Sequence, residues 1–150
     1  MKKIGLALFA AAAMVFGLAG CSGDLHDAPA FNLDLADCIG TFDSWSGTPL
    51  VKDNASTYHA DFTATATEEL VSVRCTAGSW ATRYCGDNKG VQTEYAVGAA
   101  KAEMYYFDGG DPQHCKVTGL TVGNNYRFVF TTNADENPGD TTVYLNVVAR

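Results

Sequence analysis

The chain reads as an all-β protein, an antiparallel immunoglobulin-like β-sandwich of about seven to eight strands, and three observations carry this reading. Apolar and polar residues alternate at period two in several runs, the runs are short and recur roughly every ten residues, and Gly, Asp, Asn or Pro bounds nearly every one.

The sandwich is expected to follow a leader. Lys2 and Lys3 precede an apolar, small-residue run from Ile4 to Ala19, the layout of a secretory signal. That run falls short of the roughly 20 residues that span hydrocarbon as a helix, and no basic stop-transfer flank follows it. Leu18-Ala19-Gly20-Cys21 resembles the lipobox of bacterial lipoproteins, in which a cysteine after small residues receives diacylglycerol. Residues 1–20 are therefore expected as a signal peptide and Cys21 as the lipidated, palmitate-bearing first residue of the mature protein. Residues 21–35, with Pro29, read as a short flexible tether, and residues 36–150 as the β-sandwich domain. Two acyl chains hold a protein on a membrane where one does so only marginally. Ser22, in place of an aspartate after the lipidated cysteine, favours the outer membrane, on its periplasmic or surface-exposed side.

Within 36–150 the strands are justified in order. Cys38 to Phe42 is a short β-rich run. From Tyr58, the residues Tyr58, Ala60, Phe62, Ala64 and Ala66 alternate with His59, Asp61, Thr63 and Thr65, which fits a strand with one buried face. Leu70 to Cys75 is rich in valine. Ser79 to Tyr84, Val91 to Val97, Glu103 to Phe107 and Cys115 to Val117 are further short β-rich runs. Tyr126, Phe128 and Phe130 alternate with Arg127, Val129 and Thr131; Val143, Leu145, Val147 and Ala149 alternate with Tyr144, Asn146 and Val148. These last two runs read as a C-terminal hairpin across the turn-forming stretch Asn133 to Asp140. Between Tyr95 and Tyr106, Ala96, Ala99, Ala100, Lys101, Ala102 and Glu103 favour one helical turn, and Gly98 argues against a longer helix.

Charge and cysteines narrow the partners. Ten Lys and Arg stand against 17 Asp and Glu, for a formal charge of −7, and the leader holds two of those lysines. Nucleic acid and anionic headgroups are poor partners for such a chain. With Cys21 lipidated, Cys38, Cys75, Cys85 and Cys115 remain, an even number in an exported domain, so two disulfides are the default with three connectivities open. Cys75 and Cys85 flank a hairpin-sized segment and form the favoured local pair, leaving Cys38 with Cys115. No Cys-x-x-Cys pair supports zinc at His114-Cys115.

No catalytic constellation stands out. His26, His59 and His114 adjoin no nucleophile motif, and the chain has no Gly-x-Ser-x-Gly, no His-Glu-x-x-His and no phosphate-cradling glycine loop. The expectation is a non-enzymatic protein with no cofactor and no metal. Asp108-Gly109-Gly110-Asp111, and Asp135-Glu136-Asn137 with Asp140, read as solvated turns and match no calcium loop.

The aromatic residues are more informative. Gly40-Thr41-Phe42-Asp43-Ser44-Trp45, the later Trp80-Ala81-Thr82-Arg83-Tyr84-Cys85-Gly86 and the glycine-led turn Gly119 to Tyr126 occur in that order. The pattern resembles starch-binding-type β-sandwich modules of surface glycan-binding lipoproteins from gut-type bacteria. It departs from them in placing Cys85 between Tyr84 and Gly86. The resemblance implies a carbohydrate site. Sugar rings present apolar C–H faces that stack on exposed indoles and phenols, while their hydroxyls take a few polar partners. Trp80 and Tyr84, four apart and so on one face of a strand, are the expected stacking residues. Trp45 is a third candidate that the core also claims. The function expected is a lipid-anchored, non-catalytic module binding an α-glucan-like polysaccharide. Two alternatives stand beside it: a structural or adhesive lipoprotein with a protein partner, and a small exported enzyme or enzyme inhibitor.

Overall fold

A computed structural model describes residues 33–133 and 141–150. The leader, Cys21, most of the tether and residues 134–140 of the last turn lie outside the described residues. Among the described residues thirteen strands follow one another: β1 (Asp37–Gly40), β2 (Thr48–Pro49), β3 (Val51–Asn54), β4 (Thr57–Thr63), β5 (Glu68–Arg74), β6 (Thr82–Cys85), β7 (Asp87–Asn88), β8 (Val91–Gln92), β9 (Glu94–Ala96), β10 (Ala102–Asp108), β11 (Cys115–Thr118), β12 (Asn125–Thr132) and β13 (Val143–Ala149). Single 3-10 turns cover Leu33–Leu35 and Thr41–Asp43. The all-β expectation holds, and the strands beyond the expected seven or eight are short edge and hairpin pieces. The helical turn expected between Tyr95 and Tyr106 does not form. That segment is β9, a turn with Gly98 at φ 83°, and the start of β10.

The strands run in the order β2-β1-β5-β6-β10-β13-β12-β4-β3, with β11 beside the first half of β5 and β9 beside β11. Among the described residues all pairings are antiparallel except β9 with β11. β10 joins the two halves of the order: Ala102–Met104 pair with β13, and Tyr105–Asp108 pair with β6.

The period-two runs bury the face they predict. Tyr58, Ala60 and Phe62 of β4, Tyr126, Phe128 and Phe130 of β12, and Val143, Leu145 and Val147 of β13 share one core. Phe62 and Phe128 stack with centroids 4.0 Å apart and planes 7° apart. Phe42 reaches both, at 5.2 and 5.1 Å, and so ties the loop after β1 to the far half of the sheet. Aromatic contacts of this kind are worth about 0.5–1.5 kcal/mol each beyond their area. Leu33, inside the stretch assigned to the tether by composition, is fully buried in the same core.

β5 differs from the other strands, because almost every residue from Glu69 to Arg74 is buried on whichever side it points. Val71 and Val73 face the core, while on the other face Arg74 lies under the loop that follows β1 and Ser72 lies between Cys85 and His114. Glu69 enters as a buried carboxylate with a complete set of donors. Its Oε1 accepts the Thr65 N–H and hydroxyl, both at 2.8 Å, and the Ala66 N–H at 3.1 Å; its Oε2 accepts the Thr41 hydroxyl. Burial alone would raise its pKa, and these hydrogen bonds outweigh that and hold it below the usual carboxylate value.

The expected disulfides are not formed. Cys38, Cys75, Cys85 and Cys115 are free, buried thiols. Register explains the local pair. Val73 faces Tyr84 across β5 and β6, which sets Cys85 opposite Ser72 and Cys75 opposite Thr82. The two cysteines are thus three positions out of step, roughly 10 Å along the strands, and on opposite faces. Cys38 pairs with Val73 on one edge of β5 and Cys115 with Val71 on the other, two strand spacings apart, or roughly 9.5 Å. Burial pushes the Cys75 thiol up to about 11 and the Cys115 thiol up to about 12, so neither supplies a thiolate for exchange near neutral pH.

Candidate functional site

The loop from Gly40 to Gly47 folds back across the outer face of β5, and one side chain organises it. Asp43 Oδ1 accepts the N–H groups of Gly40 (3.1 Å) and Trp45 (3.0 Å), and Oδ2 accepts the Gly47 N–H (3.0 Å) and the Thr48 hydroxyl (3.1 Å). This set holds Ser44 and Trp45 in the left-handed region at φ 54° and 65°. Such a conformation in a bulky residue costs about 1–3 kcal/mol unless its surroundings impose it. Gly40, though extended, must lack a side chain, because a Cβ there would strike the Leu70 carbonyl and the Phe42 ring.

The result is to stand Trp45 over the outer sheet face, half-buried, with its ring centroid 4.5 Å from His114 and 6.4 Å from Trp80. The Trp45 and Trp80 planes are inclined by 45°. Trp80 comes from the β5–β6 turn. Its carbonyl accepts Arg83 Nη1 at 2.5 Å, and its ring lies over two guanidinium groups, Arg74 at 5.3 Å and Arg83 at 5.7 Å. Arg74 and Arg83 are direct cross-strand partners, so both rise from the same side of the sheet and support the indole from beneath. Arg74 is itself fixed by a buried bidentate pair with Asp37, through Nε to Oδ1 at 2.7 Å and Nη2 to Oδ2. Such planar pairs are specific to arginine. Trp80 remains 44% exposed above this base.

His114, just before β11, completes the cluster. Its Nδ1 lies 2.7 Å from the Ser72 hydroxyl, and its carbonyl accepts Gln92 Nε2 at 2.9 Å. Burial, with the Arg83 charge adding to it, lowers its pKa below the ordinary histidine value, against an opposing effect of Asp111.

The structure thus joins two of the three expected aromatic residues, Trp45 and Trp80, and separates the third. Tyr84 is 1% exposed, faces the core, and donates its hydroxyl to the Thr141 carbonyl at 3.0 Å. It cannot stack on a ligand. The expectation failed because β6 begins at Thr82, leaving Trp80 in a turn where strand alternation does not apply. Sequence reasoning also missed Asp43, Arg74, Arg83 and His114. Asp43, two residues before a tryptophan in a glycine-bounded loop, carried the signal of an Asx turn; Arg74 carried that of a cation ending a valine-rich strand. His114 carried none. Among the described residues no group of three or more His, Cys, Asp or Glu could hold a metal ion.

The fold and site together define a β-sandwich-type domain with a bent pair of tryptophans on its outer face. No protein-family model and no curated protein matches the chain. One solved structure, "Ligand induced structure of AmyP-SBD", a starch-binding domain, is similar over 95% of each chain with a TM-score of 0.50 and 17% identity. At that identity the likeness establishes the fold.

Proposed function

We propose that this chain is a lipid-anchored, non-catalytic carbohydrate-binding module that takes an α-glucan-like polysaccharide on the Trp45–Trp80 surface. The observation that carries the reading is the pair of indoles, 6.4 Å apart and inclined by 45°, with Trp80 exposed above two buried arginines. Indole faces stack on the C–H faces of sugars. Their mutual tilt suits a chain whose successive rings turn, as in an α-glucan, better than a flat ribbon. The starch-binding fold of the similar structure supports the same reading. Export and acylation at Cys21, with attachment to the outer membrane, rest on the Leu18-Ala19-Gly20-Cys21 motif behind its basic, apolar leader.

Titration calorimetry of the protein against soluble starch, glycogen and a β-glucan tests the ligand. Binding of the α-glucans at roughly micromolar to millimolar Kd, lost in Trp80→Ala without loss of fold by circular dichroism, is the expected result. Indifference to every polysaccharide would reject it. Incorporation of a palmitate analogue into wild type and not into Cys21→Ser tests the anchor.

A further inference from the structure

We propose that His114 is the polar recognition residue of the Trp45–Trp80 surface, its imidazole turned by Ser72 so that Nε2 is offered outward as an acceptor for a sugar hydroxyl. The inference rests on the carbohydrate reading above and names, within it, the atom that meets a hydroxyl proton.

The argument starts from one proton. Ser72 is fully buried on the outer side of β5, between Cys85 and His114. Its hydroxyl donates to Cys85 Sγ at 3.3 Å. A hydroxyl has a single hydrogen, so with that hydrogen on Cys85 the same oxygen acts as acceptor toward His114, and the 2.7 Å contact then assigns the proton to Nδ1. The neutral ring then carries its lone pair on Nε2, the nitrogen that bonds to no described residue. The backbone is held as well, by Gln92 on the His114 carbonyl. Ring and main chain are fixed before any ligand arrives.

Chemical need points to the same atom. A sugar hydroxyl is both donor and acceptor, whereas the other polar groups of the cluster, the two indole N–H groups and the guanidiniums of Arg74 and Arg83, only donate. Asp43, on the loop that carries Trp45, has both oxygens committed to that loop. The charges around the ring keep it neutral: burial and the Arg83 guanidinium oppose protonation, Asp111 favours it, and the net is a lowered pKa. The neighbouring Cys85 thiol is itself held protonated by burial. Lys116, two residues along, is paired with Glu94.

The test uses the full chain, with nitrogen-15 NMR for the tautomer and calorimetry with soluble starch for binding. In the wild type the His114 nitrogens should show the Nδ1–H form, and Ser72→Ala should convert it to a mixture. His114→Ala should weaken binding roughly five- to tenfold, the worth of one neutral hydrogen bond, and Ser72→Ala by a smaller factor. Wild-type affinity should fall on acidification, as Nε2 takes a proton and ceases to accept, and His114→Gln should show no such fall. An Nε2–H tautomer in the wild type overturns the inference. So does wild-type affinity in His114→Ala; if Trp80→Ala has lost binding at the same time, the carbohydrate reading stands without it. Absence of starch binding by the wild type overturns both.

Discussion

Gly47 lies against the Nη2 atom of Arg74, so close that a Cβ at position 47 would overlap both that nitrogen and Asp37 Oδ2. The residue also sits at φ 99°, a conformation that side chains strain to adopt. Gly47→Ala should therefore destabilise the protein by about 1–3 kcal/mol, through strain and through displacement of the buried ion pair. Chemical denaturation measures it. An unchanged midpoint would mean that the loop does not close over Arg74 as described.

Asp43→Ala removes the acceptor for four donors and releases Trp45 from its left-handed conformation. The expected cost is about 2 kcal/mol, together with starch affinity weakened at least as much as in Trp45→Ala. Asp43→Asn keeps one oxygen and should fall between. Equal stability of all three proteins would show that the tryptophan is held by its ring contacts alone.

Glu69→Gln tests the buried carboxylate. Because the folded pKa lies below the unfolded one, the ionised Glu69 contributes stability above the unfolded value of about 4.3 and loses it as pH falls through the folded value. Wild type should exceed the variant by about 1–3 kcal/mol near pH 7, and the difference should shrink in acid. A pH series of denaturation midpoints reads it; parallel curves would contradict the assignment.

Tyr84 and Trp80 should give opposite phenotypes. Tyr84→Phe deletes a buried hydrogen bond to the Thr141 carbonyl and should cost about 1 kcal/mol of stability with starch affinity unchanged. Trp80→Ala should do the reverse. Loss of binding in Tyr84→Phe at full stability would return the phenol to the ligand surface.

The four thiols should resist a thiol reagent in the native state and all react on unfolding without reductant, since each is free and buried. A reading of fewer than four in the denatured chain, by non-reducing peptide mapping, would identify a bridge.

Much of the fold was legible because period-two alternation reports which face of a strand is buried. The runs from Tyr58, Tyr126 and Val143 all turned their large residues inward as that rule requires. The same rule misled at Trp80, where a turn, invisible to alternation, ends before Thr82. It was silent at β5, whose Arg74 is buried by a loop, and whose Ser72 by His114 and Cys85, all from elsewhere in the sequence. Cysteine count likewise suggested bridges that register does not allow, since pairing depends on which residue faces which across strands, and spacing along the chain does not reveal that. His114 is in the site only because β11 joins the edge of β5.

The two tryptophans of the chain are Trp45 and Trp80, and both stand in the same cluster. The protein's tryptophan fluorescence, excited selectively over that of tyrosine, is therefore an optical record of one small surface, with no core indole to dilute it. That surface is assembled from three segments far apart in sequence, the loop after β1, the β5–β6 turn and the approach to β11. Emission recorded during refolding should consequently register the docking of those segments upon one another, while circular dichroism follows the strands beneath them.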